Sequence, residues 1–234
     1  MVKKAVIMAA GKGVRMLPLT KLVPKPLIEV NGKPFLYYLF SRLKEAGYTD
    51  IALIVGYKNH VVPEFLKKYG FKAHLILQAK RLGTGHALKQ AEEFVGKSNF
   101  ITLGGDNLWS VNDLKRLDKD DDLNYIATMK VNNPEKYGVI IEENGFLKKI
   151  VEKPQSYTGN LVNTGLYKFS PEIFDYLKKL KKSPRGEYEL TDAISALASQ
   201  KKVMVVTLND YWFDLGKIDD IKSIEEKLSK LGNK

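Results

Sequence analysis

The 234-residue chain is predicted to fold as one α/β domain with a mostly parallel, mixed central sheet. In its first half, short apolar runs alternate with amphipathic helical segments, as they do when helices join parallel strands. In its second half, strand-like runs separated by turn residues extend the sheet with antiparallel strands. Hydrophobic residues make up 44% of the chain, enough for a substantial core. No linker, repeat or low-complexity segment divides residues 1–234, so a single domain is expected.

The first half contains four predicted strands. Ala5-Val6-Ile7-Met8 is an apolar run followed by small residues and glycine, which is typical of a buried parallel strand. Residues 34–46 start with proline, have one apolar face and end before Gly47, which predicts a helix. The same criteria predict strands at 51–55, 73–77 and 99–103 and helices at 59–69 and 85–94. Ligands of such sheets bind beyond the carboxyl ends of the strands, where loops 9–26, 78–86 and 104–109 fall.

The second half changes from alternating elements to consecutive strands. The turn residues Asn144-Gly145 predict a hairpin between two of these strands. Strands are predicted at 125–131, 139–142, 146–152, 161–169 and 203–207, and helices at 171–181, 189–199 and 217–230.

Composition narrows the classes of function. Lys plus Arg is 38 against 27 for Asp plus Glu, a net charge of +11, so the molecule should attract phosphorylated metabolites or other polyanions. Cysteine is absent, which excludes disulfides, thiolate metal sites and cysteine nucleophiles. No apolar stretch approaches the roughly 20 residues of a membrane span, and the N-terminal apolar run is too short for a signal peptide. We expect a cytoplasmic protein that does not bind membranes.

Two glycine-containing loops and one lysine on a rigid segment could bind a nucleotide. The segment 9–16 follows a strand, and its glycines let backbone amides approach phosphates closely, although it fits neither the Rossmann nor the Walker A spacing. Lys25 stands between two prolines, which hold it on a rigid segment. Gln78 and the loop 82–87 follow another strand and could reach the edge of a base. A glycine-rich turn, or a histidine at position 86 that only packs, would explain each signal taken alone.

Polar side chains at strand ends form a second set of candidates. Asp106 ends the fourth strand, and Asp214 offers another carboxylate, so the two could hold Mg²⁺ together with substrate phosphates. A turn cap and a helix N-cap are the structural alternatives for these two residues. Glu152 and Asn163 could bind hydroxyl groups or serve only in turns.

Taken in order, these motifs resemble the sugar-1-phosphate nucleotidylyltransferases along the whole chain. The matching motifs are Ala9-Ala10-Gly11-x-Gly13-x-Arg15-Met16, Pro18-Leu19-Thr20, Pro24-Lys25-Pro26-Leu27, Gly83-Thr84-Gly85-His86-Ala87, Gly105-Asp106, Tyr137-Gly138, Glu152-Lys153-Pro154, Asn163-Thr164-Gly165 and Trp212-x-Asp214-x-Gly216. The resemblance implies a Rossmann-like three-layer α/β/α fold. It also implies Mg²⁺-dependent transfer of a nucleotidyl group to a sugar-1-phosphate, with release of pyrophosphate.

The resemblance also assigns roles to residues. Arg15, Lys25 and Asp106 would act at the reacting centre, and Asp106 with Asp214 would bind Mg²⁺. The nucleoside triphosphate would be bound by Ala10, Gly11, Gly13, Arg15, Gln78, Gly83 and Thr84. The sugar phosphate would be bound by Gly138, Glu152, Lys153 and Asn163. Val14 stands where relatives commonly have Thr or Ser, which removes one hydroxyl near the phosphates but leaves the backbone amides.

The resemblance leaves the substrates and the assembly open. The loop Leu-Gly-Thr-Gly-His-Ala is similar to uridylyltransferases, including the N-acetylglucosamine-1-phosphate enzymes, whereas other motifs are shared with glucose-1-phosphate thymidylyltransferases. UTP and dTTP are therefore both expected donors, and muramate, mannose or choline phosphates are alternative acceptors. The chain ends without the left-handed β-helix that many relatives append, so acetyltransferase activity is not expected. A monomer or a homo-oligomer fits equally well.

Two other classes of function remain as alternatives. A basic nucleic-acid-binding protein is suggested by the net charge, by residues 177–182, by Lys201-Lys202 and by the C-terminal lysines. These lysines alternate with leucines at helical spacing and accompany no recognised nucleic-acid motif, so no nucleic-acid partner is expected. A binding module without turnover is disfavoured because both the acidic and the basic candidates are present.

Overall fold

The computed structural model describes residues 2–232. The strands are β1 (Lys4–Met8), β2 (Glu29–Val30), β3 (Lys33–Pro34), β4 (Asp50–Val55), β5 (His74–Leu77), β6 (Phe100–Gly104), β7 (Asn107–Trp109), β8 (Asn124–Lys130), β9 (Gly138–Glu143), β10 (Phe146–Glu152), β11 (Leu161–Phe169), β12 (Val203–Thr207) and β13 (Trp212–Asp214). The helices are α1 (Phe35–Glu45), α2 (Val62–Tyr69), α3 (Thr84–Lys89), α4 (Glu92–Val95), α5 (Val111–Arg116), α6 (Ile173–Lys179), α7 (Leu190–Ala198) and α8 (Asp220–Gly232).

One mixed sheet organises this part of the chain. Over residues 2–232 its nine strands lie in the order β5-β4-β1-β6-β11-β8-β12-β10-β9. The pairs β4–β5, β1–β4, β1–β6 and β8–β12 are parallel, and β11 and β10 pair antiparallel with their neighbours. The first four predicted strands thus form a continuous parallel region, and the second half adds the antiparallel strands as expected.

Helices cover both faces of the sheet. Successive residues of a strand point to opposite faces, and in β1 Ala5 and Ile7 pack with the apolar residues of α1, α2, α5 and α8. Val6 packs on the other face with those of α3, α4, α6 and α7. The predicted three-layer α/β/α arrangement is therefore confirmed.

The register brings the predicted site loops to one edge of the sheet. Met8, the last residue of β1, lies opposite Ile54 on one side and Gly104 on the other. Because these parallel strands end together, the segments that follow β1, β5 and β6 leave the sheet side by side. The amides of Ala9 and Gly105 continue the pairing, with distances of 2.9 Å to the carbonyls of Ile54 and Met8 respectively.

Several elements differ from the sequence prediction. The helix predicted at 85–94 is divided into α3 and α4 by residues 90–91, where amide-to-carbonyl bonds span three residues instead of four. The short strands β2, β3, β7 and β13 and the helix α5 were not predicted. The predicted hairpin at Asn144-Gly145 is confirmed, with positive φ angles at both residues. Within the described residues, no helix is both long and apolar enough to cross a membrane.

Candidate active site

A cavity of about 520 Å³ opens at this edge of the sheet. It is lined by the segment after β1, the rigid lysine segment, the loop before α3 and the end of β6. Nine of the predicted site residues line it: Ala10, Gly11, Gly13, Arg15, Lys25, Gln78, Gly83, Thr84 and Asp106. The sequence prediction that these segments converge is confirmed, whereas the role of each residue is a matter of proposal.

The glycine-rich loop is held against the lysine segment at Gly13. This residue has φ of +63° and begins a short 3₁₀ turn over Val14–Met16. The buried hydroxyl of Thr20 donates to the carbonyl oxygen of Gly13 over 3.0 Å. A Cβ at position 13 would lie 2.9 Å from Cγ2 of Thr20 and 3.0 Å from Cβ of Lys25. Glycine is therefore required here by both conformation and packing, while Gly11 has open space around it.

Lys25 forms an ion pair with Asp106 at the floor of the cavity. Its Nζ lies 2.6 Å from Oδ2 of Asp106, and the lysine side chain is only 10% exposed. The second carboxylate oxygen, Oδ1, accepts from Nδ2 of Asn107 over 2.9 Å. The lysine, placed on the segment between two prolines, thus has one well-defined position beside the end of β6.

Asp214 is brought beside Asp106 by the small antiparallel pair β7–β13. Asp214 is paired with Asn107, and the amide of Leu215 donates to the carbonyl oxygen of Asp106 over 2.9 Å. Burial and then the negative charge of Asp106 raise the pKa of Asp214 to about 6, and the charges of Lys25 and Arg15 act in the opposite direction. The helix N-cap interpretation of Asp214 is wrong, because α8 begins only at Asp220.

These two carboxylates fit the donor set of a hard divalent cation. Two neighbouring acidic groups repel each other, as the effect of Asp106 on the pKa of Asp214 reflects, and a cation relieves that repulsion. Mg²⁺ is usually bound by one or two carboxylates plus substrate phosphates. Over residues 2–232 no cluster of three or more His, Cys, Asp or Glu side chains could hold a metal. A cation here would therefore draw its remaining oxygen ligands from a substrate phosphate and water.

The opposite end of the cavity is formed by Gln78 and the loop before α3. Nε2 of Gln78 donates to the carbonyl oxygen of Gly83 over 3.1 Å. Gly83 has φ of +101°, and a Cβ there would lie 2.6 Å from the carbonyl oxygen of Tyr188. Oγ1 of Thr84 accepts from the amide of Leu190 over 3.0 Å, so this hydroxyl also caps the start of α7.

Gly138, Glu152 and Asn163 form a second cluster that does not line the cavity. Gly138 is paired with Glu152, and a Cβ at position 138 would approach the Glu152 carboxylate to 3.0 Å. Nδ2 of Asn163 donates to the hydroxyl of Tyr167 over 2.7 Å, and its Oδ1 accepts from the amide of Gly165. Burial, together with the charge of Glu152, raises the pKa of Tyr167 to about 12. Lys153 is exposed and left-handed, with φ of +43°.

An aromatic pair connects this cluster with the two aspartates. The rings of Tyr137 and Trp212 have centroids 5.1 Å apart. Nε1 of Trp212 donates to Oδ1 of Asn107 over 2.6 Å, and Asn107 is also bonded to Asp106. Burial and then the charge of Asp214 raise the pKa of Tyr137. The cavity, the aspartates and the second cluster therefore lie next to one another.

Sequence reasoning missed several residues at this site. Arg81 and Glu187 line the cavity, yet no motif drew attention to either one. The bond between Trp212 and Asn107 was not foreseen either, because the two residues are 105 positions apart and only the folded chain brings them together.

Two of the lysines in the basic stretches form ion pairs with carboxylates. Lys178, in the segment 177–182, pairs with Glu92, and Lys202 pairs with Glu172. Of the C-terminal lysines, Lys234 lies outside the described residues.

Comparison with known proteins finds a matching family model, several related sequences and similar solved structures. A family model described as nucleotidyl transferase matches residues 4–230. The bifunctional protein GlmU of Methanococcus maripaludis is 38% identical over 98% of this chain and 56% of its own length. A bifunctional sugar-1-phosphate nucleotidylyltransferase/acetyltransferase of Sulfurisphaera tokodaii is 36% identical over 92% of this chain and 52% of its own length. The chain thus spans about half the length of these relatives. Among solved structures, a UDP-glucose pyrophosphorylase bound to UDP-glucose has a TM-score of 0.87 and 26% identity, covering 98% of this chain and 99% of that one.

Proposed function

Because the chain belongs to the nucleotidyl transferase family, we propose that it transfers a nucleotidyl group from UTP or dTTP to a sugar-1-phosphate. The products are a nucleotide sugar and pyrophosphate. The observation that carries the proposal is the junction of three parts at one sheet edge: the glycine-rich cavity, the Lys25–Asp106–Asp214 group and the cluster around Glu152.

The nucleoside triphosphate would lie along the cavity, with its base at Gln78 and its phosphates at the glycine-rich loop. Ala10, Gly11 and Gly13 present backbone to the cavity, so backbone amides can donate to phosphate oxygens there. Arg15 is exposed at the rim and its charge acts on Asp214, which puts its guanidinium within electrostatic reach of the aspartates. Gly83 and Thr84 complete the base end.

The sugar phosphate would bind at the second cluster, beside the two aspartates. The exposed carboxylate of Glu152 accepts hydrogen bonds from hydroxyl groups, and Asn163 has one amide N–H beyond the bond to Tyr167. Gly138 leaves room next to the Glu152 carboxylate, since a side chain would press against it. Lys153 is exposed next to Glu152, where its ammonium suits the phosphate.

The reaction needs no protein nucleophile. An oxygen of the sugar phosphate, already ionised at neutral pH, attacks the α-phosphorus of the nucleotide. The new oxygen–phosphorus bond forms as the bond from the α-phosphorus to the pyrophosphate oxygen breaks, and pyrophosphate leaves with the bonding electrons. Two polyanions must meet for this step, so catalysis consists of positioning them and offsetting their charge.

Lys25 and Arg15 supply positive charge at the reacting centre. Lys25 is fixed by the Asp106 ion pair and can also donate to a phosphate oxygen, because an ammonium has three N–H groups. Asp106 and Asp214 would hold Mg²⁺, which supplies charge neutralisation and a template for phosphate oxygens when bound.

Direct detection of the product tests the proposal. The protein would be incubated with Mg²⁺, each of UTP, dTTP, GTP and CTP, and each of glucose-, N-acetylglucosamine-, mannose- and galactosamine-1-phosphate, and the products identified by mass spectrometry. We expect a nucleotide sugar in the UTP or dTTP reactions and a loss of about 10²–10³ in rate for Lys25→Ala. A Lys25→Ala variant with the wild-type rate, or product from GTP alone, would contradict the assignment.

The proposed location of the protein is the cytoplasm. The absence of cysteine agrees with that reducing compartment.

A further inference from the structure

His86 is hydrogen-bonded to the side chain that lines the base end of the cavity. Its Nδ1 lies 3.0 Å from Nε2 of Gln78. The same Nε2 also donates to the carbonyl oxygen of Gly83 over 3.1 Å. An amide nitrogen has two N–H groups and no acceptor, so both bonds form together only when Nδ1 of His86 accepts. The geometry therefore fixes a neutral imidazole that carries its proton on Nε2.

The surroundings of His86 favour this neutral form. Burial and then the positive charge of Lys89, one turn along α3, lower the pKa of His86. From the segment before α7, the ring of Tyr188 stacks on the imidazole with centroids 6.4 Å apart. The ammonium of Lys182 lies over the Tyr188 ring at 6.0 Å. Gln78 faces the imidazole from the end of β5.

This arrangement decides which part of the Gln78 amide is left for a ligand. Gln78 is only 4% exposed and lines the cavity. With both N–H groups engaged, the carbonyl oxygen Oε1 is the atom that can meet a base, and it can only accept. Uracil and thymine present an N–H at ring position N3, whereas cytosine, a ring of the same size, presents a bare nitrogen acceptor there. An acceptor facing an acceptor leaves both groups unsatisfied.

We propose that His86 is a positioning residue: it holds the Gln78 amide with its oxygen toward the nucleotide and thereby selects uracil or thymine over cytosine. The proposal rests on the proposed function, because it takes the base to lie at Gln78. When His86 gains a proton or is removed, the amide loses one of the two contacts that orient it. A protonated Nδ1 would favour the turned amide, which presents N–H groups to the cavity and suits cytosine.

The test compares kcat/KM for UTP and CTP with one sugar phosphate that the protein turns over. His86→Ala should lower the UTP-to-CTP ratio by about 10- to 100-fold, the range for one buried unsatisfied partner. His86→Asn, whose Oδ1 can stand where Nδ1 stands, should restore most of the ratio. Gln90→Ala is the matched control, because Gln90 lies on the next turn and contacts only the backbone of His86. A purely structural role would lower both kcat/KM values together and leave their ratio unchanged.

The remaining outcomes test the proposal as follows: each one either supports it or overturns it. A folded His86→Ala protein with the wild-type ratio would overturn the proposal. If His86→Ala does not fold, the wild-type ratio measured against pH decides, since it should fall as His86 gains its proton and a constant ratio would overturn the proposal. If the wild-type protein turns over no nucleotide, the proposed function fails instead. Equilibrium binding of UTP and CTP to the same variants then decides whether His86 sets the base preference.

Discussion

The substitution Gly13→Ala is expected to destabilise the protein by about 2–5 kcal/mol. Gly13 has φ of +63°, and a left-handed conformation costs a residue with a Cβ about 1–2 kcal/mol. The added methyl would lie 2.9 Å from Thr20 and 3.0 Å from Lys25, and such overpacking costs about 1–3 kcal/mol more. The free energy of unfolding, measured in urea, reports the loss. Because the methyl presses on Lys25, the rate of nucleotidyl transfer should fall as well.

Gly11→Ala is the matched control in the same loop. A Cβ at position 11 meets nothing within 4 Å and φ is not positive, so the free energy of unfolding should change by less than about 0.5 kcal/mol. The methyl would nevertheless enter the space proposed for the phosphates, so KM for the nucleotide should rise. A Gly13→Ala protein as stable as the wild type would refute the reasoning about this loop.

Three further measurements follow from the site. Arg15→Ala should lower the rate of nucleotidyl transfer by about 10²–10³ without loss of stability, because Arg15 is exposed, whereas Lys21→Ala should keep the wild-type rate. Thr84→Ala should lower the free energy of unfolding in urea by about 0.5–2 kcal/mol through loss of the bond from the Leu190 amide, and Thr84→Ser should retain it. The wild-type preference for UTP over CTP should be constant above pH 6.5 and fall below it. Burial and the charge of Lys89 lower the pKa of His86 in the folded protein below its usual 6.5. The neutral form, with the stability that it contributes, is therefore complete above pH 6.5 and is lost as the pH falls through the lower pKa of the folded protein. Titration of Asp214 changes turnover of UTP and CTP alike, so it cancels in their ratio. A preference for UTP that rises in acid would contradict the assignment of His86.

The sequence was sufficient for the layers of the fold because its strongest patterns are local. The apolar run of β1 and the one-sided helix α1 could be identified from neighbouring residues alone. The strands β7 and β13 have only three residues each and carry no periodic signal. They form because Trp212 pairs with Trp109, a contact that no local pattern predicts.

The site could be predicted as a set of residues, but its internal arrangement could not. Glycines and prolines have specific backbone requirements, so the loop around Gly13 and the segment of Lys25 were recognisable. That Lys25 pairs with Asp106, or that the Gln78 amide is held by His86, depends on side-chain distances that only the folded chain sets. From the sequence alone, a helix-start or packing role is the favoured explanation for His86, and its bond to Gln78 is visible only in the folded chain.

Release of pyrophosphate by the wild-type protein and by Asp106→Ala, with and without Mg²⁺, tests the central claim most directly. Asp106 lies at the junction of the cavity and Asp214, and it holds Lys25. The matched control is Asp122→Ala, on the exposed segment before β8. We predict Mg²⁺-dependent release from a sugar-1-phosphate with UTP or dTTP, retained in the control and reduced by at least about 10²-fold in Asp106→Ala. Equal release by wild type and Asp106→Ala would contradict the claim that this edge of the sheet is the reacting centre.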